Sequence, residues 1–322
     1  MKSTIADKII ELKNKHNAVI LAHYYQYGEI QDIADIVGDS LALAREAATV
    51  EADVIVFCGV HFMAETAAIL NPDRKVILPD IHSGCPMADM CDARELRLAK
   101  QKFPDAKVVS YVNSSAEVKA ESDLCCTSGN SVKVLSSISS DTPYIFVPDR
   151  WLGEWASRKL GRDNLFLIDL NGVVEDMGGH GTPAYLWNGY CPVHHQILRM
   201  FITQKAQEYP DAEICVHPEC QADVIEAVDF VGSTAQIIKR VGESSSKKFI
   251  IGTEPGIIYA LKKKYPDKEF IAASDVSICH DMKLITPQKL LWALESLEPV
   301  VTVESEIADR ARVAIERMLE LS

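Results

Sequence analysis

One pattern of short apolar runs alternating with helical stretches passes three times along this chain, and it constrains the fold more than any other feature. The runs are "AVILAHYY", "VIVFCGV", "KVILPD", "KVVSYVN", "PYIFVPD", "NLFLID", "EICVHPE", "KFIIGTE" and "EFIAAS". Their β-branched content and their spacing between amphipathic segments predict buried parallel strands covered by helices on both faces. Each pass opens with a strand whose last residues turn polar: His23 to Tyr25, Tyr111 to Ser114, and His217 to Glu219. A turn of small residues before a helix comes next, at Gly38-Asp39-Ser40, Thr127-Ser128-Gly129-Asn130 and Gly232-Ser233-Thr234. After two more strands each pass ends on a loop carrying one cysteine: Cys85, Cys191 and Cys279, some 66, 83 and 65 residues beyond Val19, Val108 and Ile214. The excess in the second pass is a glycine-rich insert, roughly Leu170 to Trp187, which reads equally well as a mobile lid or a surface loop.

A period this long exceeds the ~20–50 residues of a solenoid unit. It predicts an α/β fold of three small domains related by a pseudo-threefold axis, each a parallel four-stranded sheet between helices, over residues 1–84, 85–190 and 191–299. Helices at about 300–322 are expected to pack on the first domain, beside an N-terminal helix around Ile5, Ile9 and Leu12. Functional loops gather at the carboxyl ends of parallel strands. Three such ends facing one axis would place the active site at the central junction.

Composition narrows the partners. With 48% hydrophobic residues among 322, the chain can bury a large core. Its 46 acidic against 33 basic side chains, a net charge of −13 with no basic patch, argue against nucleic acid or an anionic membrane surface. No run approaches the ~20 apolar residues of a membrane span. The expectation is a soluble, cytoplasmic chain acting on small molecules. Nine cysteines, an odd number without secretory features, suggest reduced thiols or metal ligands over disulfides.

No C-x2-C pair, the usual mark of structural zinc, occurs. Cys85, Cys191 and Cys279, gathered by symmetry, could hold three corners of a 4Fe-4S cluster and leave one iron open as a Lewis acid. They could equally be ordinary buried cysteines. Cys58, Cys125, Cys126, Cys215 and Cys220, in or beside strands, read as core, and Cys91 has no assignment. A zinc lyase built on Cys215, His217 and Cys220, and an iron-sulfur sensor without catalysis, are the rival readings.

In order along the chain stand "LAHYYQ", "QDIADIVGDSL", "GVHFMAE", "LNPDRKVILPD", "GCPMADM", "VVSYVNSSAE", "CCTSGN", "VPDRWLG", "GYCPVHH", "VHPEC", "DFVGSTAQI" and "IIGTEPGIIYALKKKYPDKEF". Together, from about Val19 to Leu294, they resemble the quinolinate synthase family, iron-sulfur enzymes of NAD biosynthesis. The resemblance implies a transferase-class condensation of iminoaspartate with dihydroxyacetone phosphate, releasing phosphate and water, and a functional link to an enzyme that supplies iminoaspartate. It implies a 4Fe-4S cluster on Cys85, Cys191 and Cys279 with one open iron. It also implies that Glu219, Tyr25, His23, His217 and Tyr111 are catalytic, that His23, Tyr111, His217 and Glu219 also contact substrate, and that Asn113 orients a carboxylate. Ser40, Ser128, Ser233 and Thr234, each before a predicted helix, are anion contacts or plain N-caps, and both uses are compatible. Met63 matches a pocket residue but also fits a core helix. Ala235 departs from a family glycine, which demands helical or extended backbone there. His194, His195 and His280 look unusual for the family, with no role assigned.

Overall fold

The computed structural model describes residues 4–322. Fourteen strands form three sheets. The first holds β1 (Ala18–His23), β2 (Ile36–Gly38), β3 (Val54–Cys58) and β4 (Lys75–Ile77). The second holds β5 (Lys107–Tyr111), β6 (Leu124–Cys126), β7 (Tyr144–Val147), β8 (Leu165–Asp169), β9 (Gly172–Asp176) and β10 (Ala184–Trp187). The third holds β11 (Glu213–Val216), β12 (Phe230–Val231), β13 (Lys248–Gly252) and β14 (Glu269–Ala272). The sheet orders are β2-β1-β3-β4, β6-β5-β7-β10-β8-β9 and β12-β11-β13-β14. The same four-strand order therefore recurs three times, parallel throughout, with helices between the strands.

The second sheet departs from the four strands expected. Its fourth place is filled by β10, from within the supposed insert, and β8, the run "NLFLID", is displaced one position outward. β9 pairs antiparallel with β8 at the sheet's edge. Half of the segment read as a lid or loop is thus sheet. The reason lies in the side chains: Ala184, Leu186 and Trp187 are buried and fit a central strand, while β9 leaves Val173 and Val174 exposed as an edge strand can.

Register is set alike in all three units. Asp35, Asp123 and Asp229, each just ahead of the unit's second strand, accept a side-chain hydrogen bond from the N–H of Ile20, Val108 and Ile214, at 2.8, 2.9 and 2.8 Å. Each aspartate also donates its own N–H to the carbonyl of the same residue. The crossover between a unit's first two strands is thereby clamped at both backbone groups.

The helix Pro287–Ser296 packs against Ile5–Lys15. The last helix, Ser305–Glu320, expected on the first unit, bridges two: it lies against Ala116–Ala120 and β6 of the second and against His61–Leu70 of the first. Its buried stripe Ala308, Ala311, Ala314, Ile315 and Met318 is rich in small side chains, which permits the close approach of a second helix. Among the described residues no helix is long and apolar enough to cross a membrane.

Replacing Asp229 with alanine leaves the Ile214 N–H without its acceptor in a partly buried setting. A loss of about 1–3 kcal/mol is expected, read as a lower urea midpoint at unchanged slope.

Candidate functional site

Polar residues follow the first strand of each unit because a parallel strand ends where its sheet stops being covered. β1 ends on His23, with Tyr25 beyond it; β5 ends on Tyr111, with Asn113 beyond it; His217 and Glu219 follow β11. All six line one cavity of about 190 Å³ between the three units, room for a small metabolite. Ser40, Ser128, Thr234 and the three cysteines Cys85, Cys191 and Cys279 line it too. So does Met63, although its side chain is almost wholly buried.

Ser233 stands apart. Its hydroxyl bonds to the Asp39 carboxylate at 3.0 Å and accepts from the Gln236 N–H, completing a capping box for the helix Thr234–Glu243. These commitments turn it away, and it is Thr234, the first helical residue, that reaches the cavity. Ala235 is helical, as its lack of access to positive φ requires.

The three cysteines share a local geometry. Each carbonyl accepts the N–H four residues on, from Asp89, His195 and Lys283 respectively. Each sulfur receives a backbone N–H three residues on, from Ala88, His194 and Met282. Every one of them therefore sits at the start of a helical turn whose free N–H group faces the sulfur, an arrangement suited to a thiolate. Burial nonetheless raises all three thiols, Cys279 to about 12, so that they stay protonated unless a metal ion takes the proton's place. Three cysteines that each face a helix-start N–H group, line one cavity and are partly exposed fit a metal centre.

The other six cysteines are buried away from the cavity. Cys215 and Cys220 belong to different apolar clusters, so they do not meet at His217 as the zinc reading requires.

Around Glu219 lies a buried hydrogen-bond network. Its Oε2 is 2.6 Å from His194 Nδ1, and its carboxylate also accepts from the Tyr111 hydroxyl. Burial works against ionisation here. His194 and His217, with those hydrogen bonds, overcome it and hold Glu219 below the usual carboxylate range, at about 2. The His194 ring stacks on His217 at 4.4 Å, and His194 Nε2 meets Thr253 Oγ1 at 2.8 Å, which in turn meets the Tyr25 hydroxyl at 2.6 Å. His217 Nε2 bonds to Ser128 Oγ at 3.1 Å.

The backbone settles two tautomers. The N–H of Tyr25 donates to His23 Nδ1 and that of Glu219 to His217 Nδ1, at 3.2 and 3.4 Å, leaving the ring proton of both histidines on Nε2. Burial holds both neutral, at about 3, with the Lys283 ammonium adding to the effect on His23. Burial and the nearby Glu219 charge push the Tyr25 and Tyr111 phenols well up. At neutral pH the Glu219 carboxylate thus stands among the protonated phenols of Tyr25 and Tyr111 and the neutral imidazoles of His23 and His217. Asn113 adds an amide oxygen buried without a hydrogen-bond partner, open to a ligand.

Sequence reasoning missed His194 and Thr253. The signal for His194 was its place three residues after Cys191, which puts both on one face of the turn Pro192–His195; the ligand atoms of Cys191, His194 and Glu219 all lie within 4.8 Å of one another. Neighbouring His195 points elsewhere, against Trp151 and Tyr190.

The buried histidines imply a pH dependence of stability. On unfolding, His23 and His217 regain an ordinary value near 6.5, whereas folded they stay neutral down to about 3. The unfolded chain therefore binds more protons below about pH 6.5. Their stabilisation is complete above that pH and is lost as pH falls, by about 1.4 kcal/mol per unit for each histidine. Glu219, also held below its ordinary value, contributes a loss only below its unfolded value near 4.3. Melting temperatures measured from pH 7 to 5 should fall, and His217→Asn should flatten the slope.

Comparison with known proteins bears on the same site. The family described as Quinolinate synthetase A protein matches residues 7–320. The chain is 49% identical to a quinolinate synthase of Desulforudis audaxviator, covering 98% of this chain and 99% of the relative. It is 48% identical to one of Dehalococcoides mccartyi strain CBDB1, covering 99% of each. It is 46% identical to quinolinate synthase 1 of Methanosarcina acetivorans, covering 99% of this chain and 98% of the relative. Three α/β units around one cavity, three alike cysteines and a family match over nearly the whole described length lead to one conclusion: the chain belongs to the quinolinate synthetase A family, whose members are iron-sulfur enzymes of NAD biosynthesis.

Proposed function

We propose that this enzyme condenses iminoaspartate with dihydroxyacetone phosphate to quinolinate, releasing phosphate and water, in the cytoplasm. The observation that carries the reading is the trio Cys85, Cys191 and Cys279, alike in local geometry and opening on a cavity that also holds Glu219, two histidines and two tyrosines from the strand ends. These three would hold a 4Fe-4S cluster with the fourth iron open. When bound, the cluster supplies Lewis-acid assistance to loss of a hydroxyl as water. Iminoaspartate is an imine open to hydrolysis, so an enzyme that releases it is the functional partner.

The side chains divide the remaining work. Ser40 and Thr234, first residues of ten-residue helices, and Ser128 receive the phosphate and carboxylates, with helix N–H groups in place of lysine or arginine. Asn113 orients a substrate through its amide. Glu219, held ionised, is the base for proton removal during condensation and enolisation. Tyr25, held protonated, donates to a developing oxyanion and returns protons through the Thr253–His194–Glu219 chain, while Tyr111, whose hydroxyl donates to Glu219, steadies that base. His23 and His217 present Nε2–H to substrate oxygens.

The deciding experiment is anaerobic purification with assay of iron, acid-labile sulfide and quinolinate. Roughly four irons and four sulfides per chain are expected, with metal and turnover both lost in Cys85→Ala, Cys191→Ala and Cys279→Ala. Full activity without iron would overturn the reading. Glu219→Gln should keep its cluster while kcat falls by about 10²–10⁴-fold, seen in steady-state assays at saturating substrate.

A further inference from the structure

Two buried carboxylates hold cysteine loops and have no role so far. Asp149 lies two residues beyond the end of β7, and Glu254 two residues beyond the end of β13. They are therefore equivalent positions of the second and third units, each just past the unit's third strand. Asp149 is fully buried and Glu254 1% exposed. Asp149 Oδ2 accepts the N–H of Cys191 at 3.1 Å, while its Oδ1 caps the helix Arg150–Lys159 through the Leu152 N–H at 2.8 Å. Glu254 faces the N–H of Cys279, accepts that of Gly256 at 2.6 Å, and pairs with Lys283 at 3.2 Å.

The backbone nearby is shaped for these contacts. Gly189 bridges to Asp149, and a Cβ there would stand 2.4 Å from the Pro148 carbonyl; a Cβ on Gly256 would stand 2.6 Å from the Glu254 carboxylate. Glycine at both places lets the loops press against their carboxylates. The first unit lacks the device. Its equivalent residue, two beyond β3, is Val60. There Ser83 ties the Cys85 loop instead, its hydroxyl set between the carbonyls of Gly59 and Asp281 at 2.7 and 2.8 Å.

We infer that Asp149 and Glu254 are paired positioning residues for the metal centre, each fixing one ligand cysteine by that cysteine's own backbone N–H. The inference rests on the reading of Cys191 and Cys279 as cluster ligands. A ligand loop whose amide is anchored keeps its sulfur aimed with the metal absent, which favours capture and slows release. Cys85 has no carboxylate of this kind on its loop, which Ser83 ties both to Gly59 of its own unit and to Asp281 of the third.

Asp149→Asn separates anchoring from folding. An asparagine oxygen can still cap Leu152, but its amide then faces the Cys191 N–H, donor against donor. Glu254→Gln does the same at the other site, and Asp92→Ala, which removes a carboxylate cap from the helix Ala93–Lys102, is the control. Each anaerobically purified holoprotein is exposed to an iron chelator, and bleaching of the cluster chromophore and its electron paramagnetic resonance spectrum on reduction are followed. Asp149→Asn and Glu254→Gln should load with iron, lose it about 10-fold faster than wild type and show altered spectra, while Asp92→Ala keeps wild-type kinetics. Wild-type release and spectra in both variants, or equal acceleration in the control, overturn the inference. Should Asp149→Asn not fold by circular dichroism, Glu254→Gln alone decides. A wild-type protein that holds no iron refutes the cluster reading itself, a result distinct from the others.

Discussion

Each site contact depends on the register of three parallel sheets, and in every unit a single aspartate sets it. Asp35, Asp123 and Asp229 grip the N–H of the first strand's second or third residue while their own N–H returns the bond. A slip of one residue would send His23, Tyr111 and His217 to the opposite face of their strands. Because the clamp is local to each crossover, three units could retain it while their loops diverged. The common axis then converts three separate strand ends into one cavity.

That cavity solves an electrostatic problem. A carboxylate as buried as Glu219 would ordinarily take up a proton. Here it is kept ionised by a hydrogen bond from Tyr111 of the second unit, by His194 from the loop that carries Cys191, and by the nearby His217 of the third. No single unit supplies the whole set. The charge is therefore stable only when the units are docked, which couples assembly of the base to assembly of the cysteine trio. The same burial keeps the phenols and imidazoles neutral, so acid and base are separated within a few ångströms without any lysine or arginine in the cavity wall.

The architecture was legible wherever information is local. Alternating apolar runs mark the strands, and the polar residues ending β1, β5 and β11 mark the site. The place of "NLFLID" was not legible, since an apolar five-residue run fits the fourth or fifth position of a sheet equally and only the competing strand Ala184–Trp187 decides between them. His194 escaped because the turn Pro192–His195 is four residues long, too short to show helical periodicity. Ser233 and Thr234 illustrate a finer limit. Both suit a helix start, and only the Asp39 carboxylate, brought from the first unit, determines which hydroxyl becomes the cap and which faces the cavity. The last helix packs on the first unit as expected, but its further contact with the second was not legible for a similar reason: an alanine-rich stripe specifies a close neighbour without naming which one.

Departures from the threefold pattern then carry the chemistry. Symmetry alone would make the three cysteine loops identical and leave the cavity without direction. In the second and third units a carboxylate follows the third strand, and in the first it is Val60, with apolar Phe62 and Met63 beside it on the cavity wall. Val60, Phe62 and Met63 thus give the cavity lining an apolar share beside Glu219, His194 and His217. An apolar surface disfavours an unpaired carboxylate, so the charged groups of a bound molecule are better placed beside the polar side chains. The repeat supplies the scaffold, and its departures from symmetry give the cavity its mixed lining.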